Sequence, residues 1–158
     1  MSPTPLVLLI EDNESDVLLF DRAVAGSARP FAYHVAFDGV DAIHYLAGEA
    51  PYADRTRHPL PSLVLLDLKL PRKSGLEVLE WRHSSPQLRD IPIVVLTSSS
   101  EIEDIRSAFR LGVKAYVVKP VGFDQLRTLV GAVAGYLANL PAGPDTALSG
   151  FLTPRPSL

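Results

Sequence analysis

Short, continuous runs of leucine and β-branched residues alternate along this chain with longer stretches whose apolar positions recur every three or four residues. The runs are Leu6–Ile10, Phe31–Ala36, Leu63–Leu66, Ile93–Leu96 and Ala115–Val118. The helical stretches are Ser15–Ala25, Val40–Ala47, Leu76–His83, Glu101–Leu111 and Phe123–Ala138. Continuous apolar runs predict strands buried on both faces, and helices between them predict βα units feeding a parallel sheet. The first, third and fourth runs are the most apolar and are expected at the centre of the sheet. The second carries Tyr33 and His34, polar atoms that suit an edge.

Right-handed crossovers then give the strand order 2-1-3-4-5, a flavodoxin-like, doubly wound (βα)5 α/β fold. The length of 158 residues predicts one domain, and a chain of this size buries roughly 70% of its unfolded surface, enough for a core without staples. Without cysteine there is no disulfide and no thiolate metal site. No apolar stretch is long enough to span a membrane, and the N-terminus lacks the pattern of a signal peptide, so a cytoplasmic protein is expected. A net charge of -3 with no basic run argues against direct nucleic-acid contact.

Two segments fall outside the repeating pattern. Gly48–Ser62, with prolines at 51, 59 and 61, exceeds the usual connection of about 2–6 residues and reads as a functional loop or a tolerated insertion. After Asn139 the composition turns to proline, glycine and serine. Residues 1–138 are therefore expected to form the domain, and residues 139–158 a tail without an output domain.

Chemistry collects at the ends of the predicted strands. Glu11 and Asp12 follow the first run, Asp67 the third, Thr97 the fourth and Lys119 the fifth. In a parallel sheet these ends share one rim, so the three carboxylates converge there. Two unit charges about 4 Å apart repel by roughly 4 kcal/mol at an effective dielectric of 20, so a cation must intervene or the carboxyl groups must take up protons. All-oxygen ligands suit Mg²⁺, with Mn²⁺ or Ca²⁺ as substitutes, whereas His34, His44, His58 and His83 lack zinc spacing. Three negative charges less that of Lys119 leave two, which one divalent ion balances. A phosphoryl group accounts for the remaining residues. Asp67 can attack phosphorus, Lys119 and the metal can neutralise the oxygens, and the Thr97 hydroxyl can donate to one of them.

These motifs, LLIEDNESD, LVLLDLKLPRKSG, VVLTSSS and AYVVKP, resemble the receiver domain of two-component response regulators over residues 5–138. The resemblance implies that Asp67 accepts a phosphoryl group from a sensor histidine kinase. It further implies that Asp12 binds Mg²⁺ directly, Glu11 binds it through water, and Asp67 and the backbone carbonyl of Lys69 complete the protein ligands. Thr97 and Lys119 would hold the phosphoryl oxygens, and Tyr116 would move inward as the Thr97 hydroxyl is recruited. A cis bond between Lys119 and Pro120 is also implied. Two positions depart from the common pattern: Glu11 replaces an aspartate, and Lys69 sets a cation two residues after the acceptor, its side chain expected in solvent. The EDN start, the proline-bearing insertion, the LPRKSG sequence and the missing output domain further resemble single-domain regulators of phytochrome-type kinases, which implies a bacteriophytochrome partner.

Other chemistries fit less well. A haloacid-dehalogenase-type phosphohydrolase needs an Asp-x-Asp pair, but Lys69 stands at the second position. An FMN-binding fold needs a phosphate loop after the first strand, where Glu11 to Glu14 would repel phosphate. Trp81 is expected to pack in the core. On the last helix Leu126, Leu129, Val130, Val133 and Leu137 serve the core, leaving Ala132, Gly135 and Tyr136 over. This surplus predicts a homodimer through the fifth-helix face, in preference to the tail folding back over it.

Overall fold

The computed structural model describes residues 4–157; Met1 to Pro3, at the N-terminus read above for a signal peptide, lie outside the described residues. Five parallel strands form one sheet in the order β2-β1-β3-β4-β5, with β1 at Leu6–Ile10, β2 at Ala32–Ala36, β3 at Leu63–Leu66, β4 at Ile93–Thr97 and β5 at Ala115–Val118. The predicted order and edge position of β2 therefore hold. Helices α1 (Glu14–Ala25) and α5 (Phe123–Ala138) cover one face, and α2 (Gly39–Ala47), α3 (Gly75–His83) and α4 (Ile102–Arg110) the other. Ile10 pairs with Leu66, Leu66 with Val95, and Thr97 with Val118. The residues that follow these pairs are thereby brought to one rim.

Local chemistry sets the helix starts. Asn13, Asp38 and Ser74 cap α1, α2 and α3 by accepting backbone N–H bonds, and Ser74 with Glu77 forms a reciprocal capping box. Gly75 serves a different need, because a Cβ there would press on the backbone carbonyl of Asp67. Its hydrogen is what lets the start of α3 lie against the loop that follows β3.

The insertion at 48–62 is docked rather than loose. Arg55 donates to Tyr45 O and Leu46 O, both at 2.8 Å, and so caps the C-terminal carbonyls of α2. The Tyr52 hydroxyl donates to Asp41 at 2.7 Å, and that of Tyr45 to Pro59 O at 2.9 Å. The His34 ring stacks on Tyr45 with centroids 4.7 Å apart, beside Tyr52 and His58. The strap thus covers the edge side of the sheet. Trp81 packs partly buried against the α2–α3–α4 core, as expected.

The tail departs from expectation. It forms a short helix, α6 (Pro144–Ala147), between 3-10 turns at Leu140–Ala142 and Ser149–Phe151. Leu148 is 1% exposed and belongs to the buried cluster of Leu129, Val133, Tyr136 and Leu137, with Phe151 and Leu152 against it. Thr153 N–H donates to Tyr116 O at 2.8 Å, and Arg155 lies over the ring of Phe109 on α4. The surplus apolar side of α5 is therefore met by the chain's own tail. Tyr136, expected to be left over, is itself buried, and Ala132 is partly so. The apolar surplus that pointed to a homodimer on this face is satisfied within the chain. A second correction concerns the peptide bonds: the cis X-Pro bond is Ala50–Pro51, and Lys119–Pro120 is trans. The trans bond still leaves Lys119 N–H donating to Thr97 O at 2.8 Å and the ammonium at the rim.

Candidate functional site

Asp67 follows β3 and is 5% exposed. Both of its oxygens are engaged. Oδ1 accepts from the Thr97 hydroxyl at 2.7 Å and from the Lys69 N–H at 3.1 Å, while Oδ2 faces the Lys119 ammonium at 2.9 Å. A carboxylate so bound is fixed in orientation, with a donor at each oxygen. Glu11 is also buried; its Oε1 accepts from Asn13 N–H at 3.0 Å and its Oε2 lies 2.6 Å from Lys119. Burial pushes the Glu11 pKa up, and the Lys119 and Asn13 hydrogen bonds oppose that only in part. For Lys119 burial disfavours the charge, but hydrogen bonds to Asp16, Glu11 and Asp67 outweigh it and raise its pKa above the usual lysine range. It remains a cation throughout the physiological range.

Asp12 is exposed at the mouth of the site. One carboxylate oxygen from each of Glu11, Asp12 and Asp67 lies within 4.8 Å of the other two. Three hard oxygen donors on converging loops fit a divalent cation, since they offer charge without the thiolate or imidazole that softer metals prefer. The Lys69 side chain points to solvent, as expected.

Thr97 and Tyr116 are both fully buried. The Tyr116 hydroxyl donates to Ser99 O at 2.8 Å, and the Ser99 hydroxyl donates to Asp104 at 2.6 Å on α4. The acceptor is thereby linked to α4 through Thr97, the β4–α4 turn and Tyr116. Tyr116 packs within the α2–α3–α4 core in this structure. Glu11, Asp12, Asp67, Thr97 and Lys119 meet on one rim, with Tyr116 inside β5 and the Lys69 side chain turned to solvent, and the structure adds Asp16, whose Oδ2 lies 2.8 Å from Lys119. Asp16 follows the Asn13 cap by three residues, where an acid is ordinary. The usable signal was a lone lysine amid more carboxylates than it could neutralise.

The chain belongs to the response regulator receiver domain family, whose model matches residues 7–131. Family members act in two-component signalling and bind divalent metal. The chain is 34% identical over 142 residues to the probable methanogenesis regulatory protein FilR2 of Methanothrix harundinacea, covering 90% of this chain and 89% of that one. It is 32% identical over 135 residues to the response regulator Rcp1 of Synechocystis sp., covering 85% and 90%; the Mn(2+)-bound structure of Rcp1 aligns at a TM-score of 0.75 over 87% of this chain and 96% of that one, 31% identical. The phosphorylated cyanobacterial phytochrome response regulator RcpA aligns at a TM-score of 0.78 with 36% identity, covering 87% and 96%. Among the described residues no helix is long and apolar enough to cross a membrane.

Proposed function

We propose that the protein accepts a phosphoryl group on Asp67 from the phosphohistidine of a sensor kinase and changes conformation in response. The observation that carries this reading is the environment of Asp67, a buried carboxylate with one oxygen held by a hydroxyl and an N–H and the other by an ammonium. In the transfer, an Asp67 oxygen forms a bond to phosphorus as the P–N bond of the phosphohistidine breaks, and the imidazole leaves. Lys119 and Thr97 then have phosphoryl oxygens to bind in place of the carboxylate oxygens they hold here. Asp12, Asp67 and the Lys69 carbonyl would hold Mg²⁺ directly and Glu11 through water; the ion supplies charge neutralisation at phosphorus. No catalytic turnover of an external substrate is part of this reading.

The partner surface lies beside the site. Leu18 and Leu19 on α1 are 50% and 37% exposed, and Val121 and Phe123, just past Lys119, are 100% and 41% exposed. Apolar residues left in water around a reactive carboxylate suit a protein donor that must bring its phosphohistidine within bonding distance. The likeness to a phytochrome response regulator, with the proline-bearing strap, favours a bacteriophytochrome as that donor, in the cytoplasm. A homodimer through α5 would pack on the residues of that helix that the tail leaves exposed, among them Arg127, Thr128 and Gly131. Incubation with a phosphorylated histidine kinase and Mg²⁺ is expected to transfer label to the wild type and not to Asp67→Asn. Acid-stable label in Asp67→Asn would overturn the assignment, because an acyl phosphate needs this carboxylate and is acid-labile.

A further inference from the structure

An ammonium group has three N–H bonds, and Lys119 faces three carboxylates: Glu11 at 2.6 Å, Asp16 at 2.8 Å and Asp67 at 2.9 Å. On the reading above, two of these partners change during the reaction. Asp67 gains the phosphoryl group, and Glu11 faces the metal. Asp16 has neither role, since it is outside the acidic trio and stands on α1 behind a side-chain cap.

We propose that Asp16 is a positioning residue for Lys119, the partner that keeps the ammonium at the acceptor while the other two are reassigned. This rests on Asp67 being the phosphoacceptor. Lysine has a flexible four-carbon stem and a strongly hydrated head, so without a fixed partner it turns toward water. Its side chain here is 21% exposed, which leaves that route open. An exposed ion pair would be a weak restraint. This pair is a short charge-assisted hydrogen bond to a half-buried cation, and its acid is carried by a capped helix. The same contact explains why the third residue of α1 is an acid that faces the rim, although a charge favourable to the helix dipole alone needs no partner. The Asp16 side chain is 41% exposed, so shortening it opens no buried cavity.

The test uses the full chain, a small phosphoramidate donor with Mg²⁺, and intact-mass measurement of phosphorylation over time. Asp16→Ala is expected to lower the maximal rate about tenfold with the donor's half-saturation nearly unchanged, since misplacing a catalytic group costs rate rather than binding. Asp16→Asn keeps an oxygen acceptor and is expected to restore most of the rate. In a Lys119→Ala background Asp16→Ala should cost nothing further, because the two act as one unit. A wild-type rate in Asp16→Ala, or the same fold-loss with and without Lys119, overturns the proposal. Nitrogen NMR of the Lys119 ammonium supplies a readout that does not need phosphorylation. The signal should be slowly exchanging in wild type and Asp16→Asn and lost to exchange in Asp16→Ala. A signal equally protected in Asp16→Ala overturns the proposal whatever the phosphorylation result. Absence of label on wild-type Asp67, with the NMR pattern intact, instead overturns the reading of the site.

Discussion

The Thr97 hydroxyl donates a 2.7 Å hydrogen bond to Asp67 Oδ1 and so ties the ends of two neighbouring strands through the acceptor carboxylate. Bonds to a charged acceptor contribute about 1.5–3 kcal/mol. In Thr97→Val the Lys69 N–H and Lys119 still serve Asp67, so a loss of about 1–3 kcal/mol in unfolding free energy is expected. Asp67 keeps its nucleophilic oxygens, so Thr97→Val is expected to take up label more slowly but still to do so. Chemical denaturation and label uptake check the two effects separately. Complete absence of label would give Thr97 a larger role than donor to one oxygen.

Gly75→Ala tests how closely α3 approaches the acceptor. The new Cβ would meet the Asp67 carbonyl and lie 2.6 Å from the Leu68 Cα, backbone that cannot swing aside. An expected cost of about 1–3 kcal/mol follows from overpacking, together with slower phosphorylation as the loop carrying Asp67 shifts. Gly131→Ala on α5 is the control. A Cβ there meets open space, so the variant should gain up to about 1 kcal/mol from helix propensity. Equal midpoints for both variants in urea would contradict the argument.

The site was legible because each chemical residue directly follows an apolar run, and a parallel sheet has one arrangement that puts all such ends on one rim. The bounds of β3, β5 and α5 agree with the apolar pattern to the residue for the same reason. What escaped the pattern depends on contacts between distant segments. Leu148, Phe151 and Leu152 follow neither a strand nor a helix period, so their burial against α5 left no periodic trace. Arg82 reads as an ordinary basic residue near a helix end, yet it is 4% exposed and donates to Leu88 O, Arg89 O and Ile91 O, clipping the connection into β4. Asp16 was hidden among the acids that commonly open a helix. The 48–62 strap was visible as an anomaly of length, but its partners, Tyr45 and Asp41, lie on α2.

The tail should behave as part of the core. Leu148→Ala removes a side chain that is 1% exposed and is expected to cost about 2–5 kcal/mol. A chain ending at Asn139 should lose at least as much and expose Tyr136 and Leu137, which promotes self-association. Thermal melts and light-scattering mass at micromolar concentration check both. An unchanged midpoint and mass on truncation would show that the tail contributes nothing to α5.

His34 makes stability depend on pH in a defined direction. Its Nε2 is buried with no hydrogen-bond partner among the described residues. Around it stand Tyr45 and Asp41 of α2, and Tyr52 and His58 of the strap. Burial lowers its pKa below the usual 6.5; Asp41 opposes the shift and His58 adds to it. The folded protein therefore holds a neutral ring where the unfolded chain takes up a proton. The contribution is whole above pH 6.5 and is lost as pH falls from there through the lower folded pKa. Glu11, with its raised pKa, acts in the opposite sense as pH falls, but it is common to wild type and variant. His34→Phe keeps the aromatic stack and removes the titrating nitrogen. Melting temperatures of the two proteins, measured from pH 8 downward, should converge on acidification as the wild type loses its His34 contribution, or diverge if the phenylalanine is already the more stable at neutral pH. Parallel curves throughout would show that the His34 ring takes up its proton as readily in the fold as in the unfolded chain.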